Sequence, residues 1–155
     1  MATNPVTVYV PRDSAALALG ADAVAAALQA GAAARQLPLQ LVRNGSRGMF
    51  WLEPLVEVAT PAGRIAYGPV APQDVPGLLD AGLLQGAAHA LCLGPTEQIP
   101  YLARQERLTF ARMGVTDPLS LADYEAHGGW QGLDRALALG GAAVVQEVQS
   151  SGLRG

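Results

Sequence analysis

Two short β-branched runs separated by an alanine-rich stretch constrain this chain more than any other feature. "VTVYV" (6–10) places Val6, Val8 and Val10 on one face and Thr7 and Tyr9 on the other, which predicts a strand. "LQLVR" (39–43) follows Pro38 and predicts a second strand. Between them, beyond the loop "PRDSAALALG", residues 21–35 are mostly alanine. Val24 and Leu28 stand one helical turn apart there and mark a buried face, which Gly31 weakens slightly. Strand, helix and strand in so few residues favour a parallel pair with a right-handed crossover. "LVEV" (55–58) and "RIAYG" (64–68) flank "ATPAG", where Pro61 and Gly63 suit a hairpin turn, so two antiparallel strands follow. In "PQDVPGLLDAGLL" (72–84), Asp74 lies in a first helical turn and Leu78, Leu79, Leu83 and Leu84 form a packing face, with Pro76 and Gly77 making the start irregular. The expected fold class is α/β, with a first domain over residues 1–84.

Residues 85–100, "QGAAHALCLGPTEQIP", are rich in small side chains, have no long period and read as a linker. Over 101–155 the strand signal vanishes, and "YLARQERL", "SLADYEAHGG", "WQGLDRALALG" and "AAVVQEVQSSG" predict short helices. Ser120 followed by Asp123 suits a helix cap, and Gly128 with Gly129 a stop. Such short helices rarely form a core alone, so the expectation is that more chain follows Gly155.

Composition narrows the function. The 155 residues carry a net charge of −3, and every basic residue is arginine or histidine, which leaves no basic stripe for a phosphate backbone and disfavours nucleic acid. The alanine-rich stretches are interrupted by Asp22, Gln29 and Arg35, and no run of about 18 apolar residues exists to span a bilayer. Met1 to Pro11 lacks the features of a secretory signal, so the expected location is the cytoplasm. The single cysteine, Cys92, agrees with a reducing compartment.

"SRGMFWLEP" (46–54) has the punctuation of a ligand loop in Ser46, Gly48 and Pro54, yet bulky Met49, Phe50 and Trp51 in its middle. With the element order above, this loop resembles that of the thioredoxin-like ferredoxin domain accompanying NADH-oxidising flavoproteins, a family that holds a two-iron, two-sulfur cluster. The resemblance puts the family's four cysteine ligands on Pro11, Ala16, Ser46 and Phe50. Iron in such clusters needs thiolates, so the expected metal set is empty. Filling of the vacated space and docking to a partner are both open readings of Met49, Phe50, Trp51 and Leu52, because four adjacent bulky residues cannot all point inward; Arg47 is then expected on the rim. In extended backbone neighbouring side chains point to opposite sides, so of Phe50 and Trp51 one is expected to face inward and the other toward a partner.

From Arg107 onward, "RLTFARMGVTDPLSLADYEAHGGWQGLDRALALGGAAVVQEVQSSGLRG" resembles the stretch preceding the flavin site in the flavoprotein subunit of complex I, bidirectional hydrogenases and soluble NAD-dependent formate dehydrogenases. Joined to a cluster-free thioredoxin-like domain, it most resembles the amino-terminal region of the beta subunit of molybdenum or tungsten formate dehydrogenases. The resemblance implies that Gly152, Arg154 and Gly155 open an FMN loop whose remainder lies beyond this sequence. It also implies FMN, NAD and a four-iron, four-sulfur cluster for the full-length subunit, but none held by these residues and no catalytic residue among them. The implied partners are a cluster-bearing thioredoxin-like subunit and the formate-oxidising subunit. A rival expectation is a stand-alone thioredoxin-like binding module without redox activity.

Other chemistry-bearing residues have plainer readings. Cys92 between Leu91 and Leu93 has no cationic neighbour in sequence and reads as inert. His89 and His127 lack ligands at metal spacing, and His127 precedes two glycines at a helix end. Asp123 and Glu125 do not share a helix face. Arg12 and Asp13 read as surface loop charges, with a small polar pocket beside the loop as the alternative.

Overall fold

A computed structural model of the chain describes residues 4–154. It contains two compact units, one running to Asp117 and the other starting at Pro118.

The first unit is built on a five-stranded sheet. Strand β1 (Val6–Tyr9) leads into helix α1 (Ser14–Ala18), capped by Asp13, whose Oδ1 accepts from the Ala15 and Ala16 amides at 3.1 and 3.2 Å. Helix α2 (Ala21–Ala34) buries Ala21, Val24, Ala25, Leu28 and Ala32, a stripe at helical spacing. It ends where Gln36 turns to φ +54°. Strand β2 (Leu39–Val42) then pairs parallel with β1, Val6 opposite Leu39 and Tyr9 opposite Val42. Strands β3 (Val56–Thr60) and β4 (Gly63–Tyr67) form the expected hairpin, and β3 runs antiparallel to β1. Helix α3 (Val75–Asp80) follows. The sheet order β2-β1-β3-β4, with only the first pair parallel and helices connecting β1 to β2 and following β4, is the thioredoxin-like arrangement, so the α/β class expected from the sequence is the one observed.

A fifth strand departs from the sequence-based expectation. Residues 85–100 were predicted to be a linker, but β5 (Cys92–Pro95) pairs antiparallel with β4 at the sheet edge. The first unit also extends well past residue 84, through helix α4 (Pro100–Ala103) to Asp117.

Alternation along β3 separates the two faces of the sheet. Val56 and Val58 join Val8, Val10 and Tyr67 beneath α1, α2 and α3 in the main core. Glu57, between them, points to the opposite face, where Met49, Leu55, Ala66, Ile99 and Leu102 form a second apolar cluster.

In the second unit, α5 (Leu121–Ala126) begins at Ser120, whose Oγ accepts from the Asp123 amide at 3.2 Å, and it stops before Gly128 at φ +72°. Helices α6 (Gln131–Leu139) and α7 (Gly141–Ser151) are joined through Gly140 and bridged by Arg135 and Glu147 at 2.6 Å. None of the residues in α5, α6 or α7 is buried. Among the described residues no helix is long and apolar enough to cross a membrane.

Leu28 lies at the centre of the main core, fully buried on α2. Leu28→Ala is expected to destabilise the first unit by about 2–5 kcal/mol in denaturant titration, whereas a loss below about 1 kcal/mol would mean that α2 is not packed as described.

Candidate functional site

The loop between β2 and β3 is braced from both ends. At its start, Arg43 donates to the Val10 and Pro11 carbonyls at 3.0 and 3.1 Å and pairs with Asp22 at 2.8 Å. Further along, the buried Ser46 hydroxyl donates to Glu53 Oε1 at 2.7 Å and accepts from the Gly48 amide at 2.9 Å. Glu53 Oε2 takes the Leu55 amide at 2.9 Å. Burial pushes the Glu53 carboxyl above its ordinary range, against the opposing effect of the hydrogen bonds from Leu55 and Ser46.

Pro11, Ala16 and Ser46 are buried, whereas Phe50 is exposed. Three of these side chains have no donor atom for iron, and the Ser46 hydroxyl is already engaged. This donor set does not suit an iron-sulfur cluster. No group of three or more His, Cys, Asp or Glu among the described residues is placed to hold a metal ion. Arg12 is exposed, while Asp13 is half-buried and spends one carboxylate oxygen on capping α1.

Arg47 corrects the sequence-based expectation of a rim residue: it is 3% exposed. Its Nε and Nη2 meet Glu57 Oε1 and Oε2, both at 2.9 Å, and its Nη1 meets Glu97 at 2.8 Å. The reason is Glu57, a carboxylate that strand alternation buries on the sheet and that needs a buried cation. Desolvation works against the Arg47 charge, but Glu57 and Glu97 outweigh it and raise its pKa.

A second arginine extends the cluster. Arg64 on β4 lies 3.4 Å above the Tyr9 ring and 3.5 Å from Glu57 Oε2, and it donates to the Gly114 and Val115 carbonyls at 3.0 and 2.6 Å. Asn44 Nδ2 shares the Gly114 carbonyl at 2.7 Å, and Arg107 donates to the Arg47 carbonyl at 2.8 Å. Gly114 has φ +75°, and a Cβ there would collide with Arg47 Cδ. Sequence reasoning singled out none of Glu57, Arg64, Asn44 or Gly114. Glu57 alone carried a signal, as the one charge inside the apolar "LVEV".

Beside this cluster the loop turns its bulky residues in different directions. Met49 is fully buried in the second apolar cluster, but Phe50 and Trp51 are 56% and 60% exposed. The expectation that one of Phe50 and Trp51 faces inward is therefore wrong: Phe50–Leu52 is a 3-10 turn rather than extended chain, so neighbouring side chains do not alternate between two sides. Trp51 packs edge-on against Tyr101, with ring centroids 5.0 Å apart. Tyr101 in turn lines an open groove of about 550 Å³ that reaches Gly48, Arg107, Leu108, Phe110 and Met113.

The remaining candidates lie elsewhere. Cys92 is half-buried on β5. It contributes, after burial, to holding the nearby Tyr67 phenol at about 12. His89 Nδ1 accepts from the Leu91 amide at 3.1 Å. His127 lies 3.1 Å from the Asp123 carboxylate at the end of α5, a partner that metal-ligand spacing did not reveal. Gly152 closes α7 at φ +70° and Arg154 is exposed; Gly155 lies outside the described residues.

No protein-family model matches the chain, and no curated protein matches it. Among solved structures, it is similar to the wild-type thioredoxin-like [2Fe-2S] ferredoxin from Aquifex aeolicus, at 22% identity and a TM-score of 0.49, over 59% of this chain and 99% of that one.

The two carboxylates on Arg47 differ in exposure, so their removal should differ in cost. Glu57→Gln is expected to destabilise by about 3–5 kcal/mol, because it leaves a buried guanidinium under-paired. Glu97 is 72% exposed, and Glu97→Gln should cost no more than about 1 kcal/mol in the same chemical denaturation series.

Glu53 makes a pH prediction. Its folded state keeps a proton to higher pH than the unfolded chain does, so its contribution to stability is present below the ordinary glutamate value and is lost as pH rises through the raised folded value. The unfolding free energy of the wild type minus that of Glu53→Gln should therefore fall as pH rises from about 4.3. A difference that stays flat or grows would contradict the burial described.

Proposed function

We propose that this chain is the amino-terminal region of the NADH-handling flavoprotein subunit of a soluble NAD-dependent formate dehydrogenase, where it serves as a cluster-free docking domain. The observation that carries the docking role is the pair Phe50–Trp51, held outward by a loop whose neighbours Met49 and Arg47 are locked inside. Assignment to this enzyme is supported by the resemblance of residues 107–155 to the stretch preceding the family's flavin site. The lack of thiolates at Pro11, Ala16, Ser46 and Phe50 supports an architectural role over an electron-carrying one. In this reading FMN, NAD and the four-iron cluster belong to the rest of the subunit, which supplies electron transfer to NAD in the cytoplasm. The contact made through Phe50 and Trp51 is to the cluster-bearing thioredoxin-like subunit of the same complex.

Capture of that subunit by the chain tests the proposal. Phe50→Ala and Trp51→Ala should each leave stability within about 1 kcal/mol of wild type. Each should weaken capture about 30-fold, as expected for an aromatic anchor at an interface centre. Unchanged capture by both variants would refute the docking role, and no capture by the wild type would refute the formate dehydrogenase assignment.

A further inference from the structure

Residues 104–115 are held in place differently from the rest of the first unit. They follow α4 and belong to no helix or strand. Between Ala103 and Asp117 the one buried residue is Gly114, which has no side chain to bury. Leu108, Phe110 and Met113 face solvent, and Leu108 is 82% exposed. Apolar burial, which holds the sheet to its helices, therefore contributes little to fixing this segment. Just ahead of it, Ile99 and Leu102 enter the second apolar cluster and set the point from which the segment departs.

Its anchors to the sheet and the loop are polar. Asn44 Nδ2 donates to the Gly114 carbonyl at 2.7 Å, and Arg64 donates to the Gly114 and Val115 carbonyls at 3.0 and 2.6 Å. Arg107 donates to the Arg47 carbonyl at 2.8 Å. Each of these donors finds water as a partner once the segment lifts, so the net loss per hydrogen bond is small. Beneath Gly114 lies the stem of Arg47, 3% exposed and paired with the buried Glu57. A closed segment keeps water from these two charges, and lifting it lets water return, which offsets part of the loss. Little apolar burial together with hydrogen bonds that solvent can replace is the profile of a segment that opens well below the free energy of global unfolding.

We infer that residues 104–115 form a latch that opens as one segment while the five-stranded sheet stays folded. Closed, the latch supplies Leu108, Phe110 and Met113 to the groove wall. Open, it removes that wall and uncovers the Asn44 amide, the Arg64 guanidinium and the Arg47–Glu57 pair. One face of the domain thereby changes from apolar to polar and charged. The latch does not depend on the docking role of Phe50 and Trp51, which lie outside it.

Limited trypsin digestion of the full chain reads the opening, because cleavage tracks the population of released segment and the latch contains Arg104, Arg107 and Arg112. Cleavage at these arginines should be faster than at Arg43, Arg47 and Arg64 by about tenfold or more. It should also rise with urea less steeply than hydrogen exchange of the β1 and β3 amides, since opening exposes less surface than unfolding. Arg64→Gln and Asn44→Ala each remove an anchor and should raise cleavage at Arg107 and Arg112 about tenfold while the β1 and β3 amides remain protected. If Arg64→Gln loosens the sheet, those amides lose protection and Asn44→Ala carries the comparison. A urea dependence equal to that of the sheet amides would mean that the segment is released only on global unfolding. Cleavage that neither variant changes would mean that the segment is not latched by these anchors. Either result overturns the inference.

Discussion

A buried carboxylate on the middle strand governs the arrangement around it. Glu57 lies between Val56 and Val58, so the alternation that packs the valines beneath the helices also places a charge on the reverse face of the sheet. Leaving that charge unpaired would cost several kcal/mol, which makes a buried cation a condition of the fold. Arg47 satisfies it with two parallel hydrogen bonds, a geometry that fixes direction as well as distance. Once Arg47 is pinned, the loop has little freedom: Met49 enters the second apolar cluster, and the following turn carries Phe50 and Trp51 outward.

The same pair organises chain that is distant in sequence. Arg64 reaches past Glu57 to the Gly114 and Val115 carbonyls, and Arg107 reaches the Arg47 carbonyl, so residues 104–115 are laid down over the ion pair. The groove wall containing Leu108, Phe110 and Met113 is part of that segment. Net stabilisation by a buried ion pair is commonly small. Its contribution here is positional, since it sets where the exposed aromatic and apolar side chains stand.

What could be read from the sequence follows the range over which each element is determined. Strands β1 to β4 and helix α2 were legible because period-two or helical patterning is local. Strand β5 was not, because "CLGP" has neither β-branching nor alternation and becomes a strand only by pairing with β4. Helix α1 is five residues long and depends on the Asp13 cap, too short for a period to show. At the site, the bulky loop residues were recognised, but their directions were misjudged because the 3-10 turn replaced the extended backbone assumed for them. Arg47 was misplaced for a different reason: its partners are 10 and 50 residues away, and a lone arginine in a loop gives no sign of them.

Gly114 shows how such a site would look in a set of variant sequences. Asn44 and Arg64 grip main-chain oxygens at 114 and 115, which any residue can offer, so recognition there does not depend on side-chain identity. Yet at Gly114 the left-handed backbone and the adjacent Arg47 stem leave no room for a methyl group. Position 114 would therefore stay glycine across otherwise divergent chains while its neighbours drift. That constancy would be the imprint of a guanidinium stem pressed against backbone, and a search for catalytic residues guided by invariance alone would be drawn to a position with no chemistry to perform.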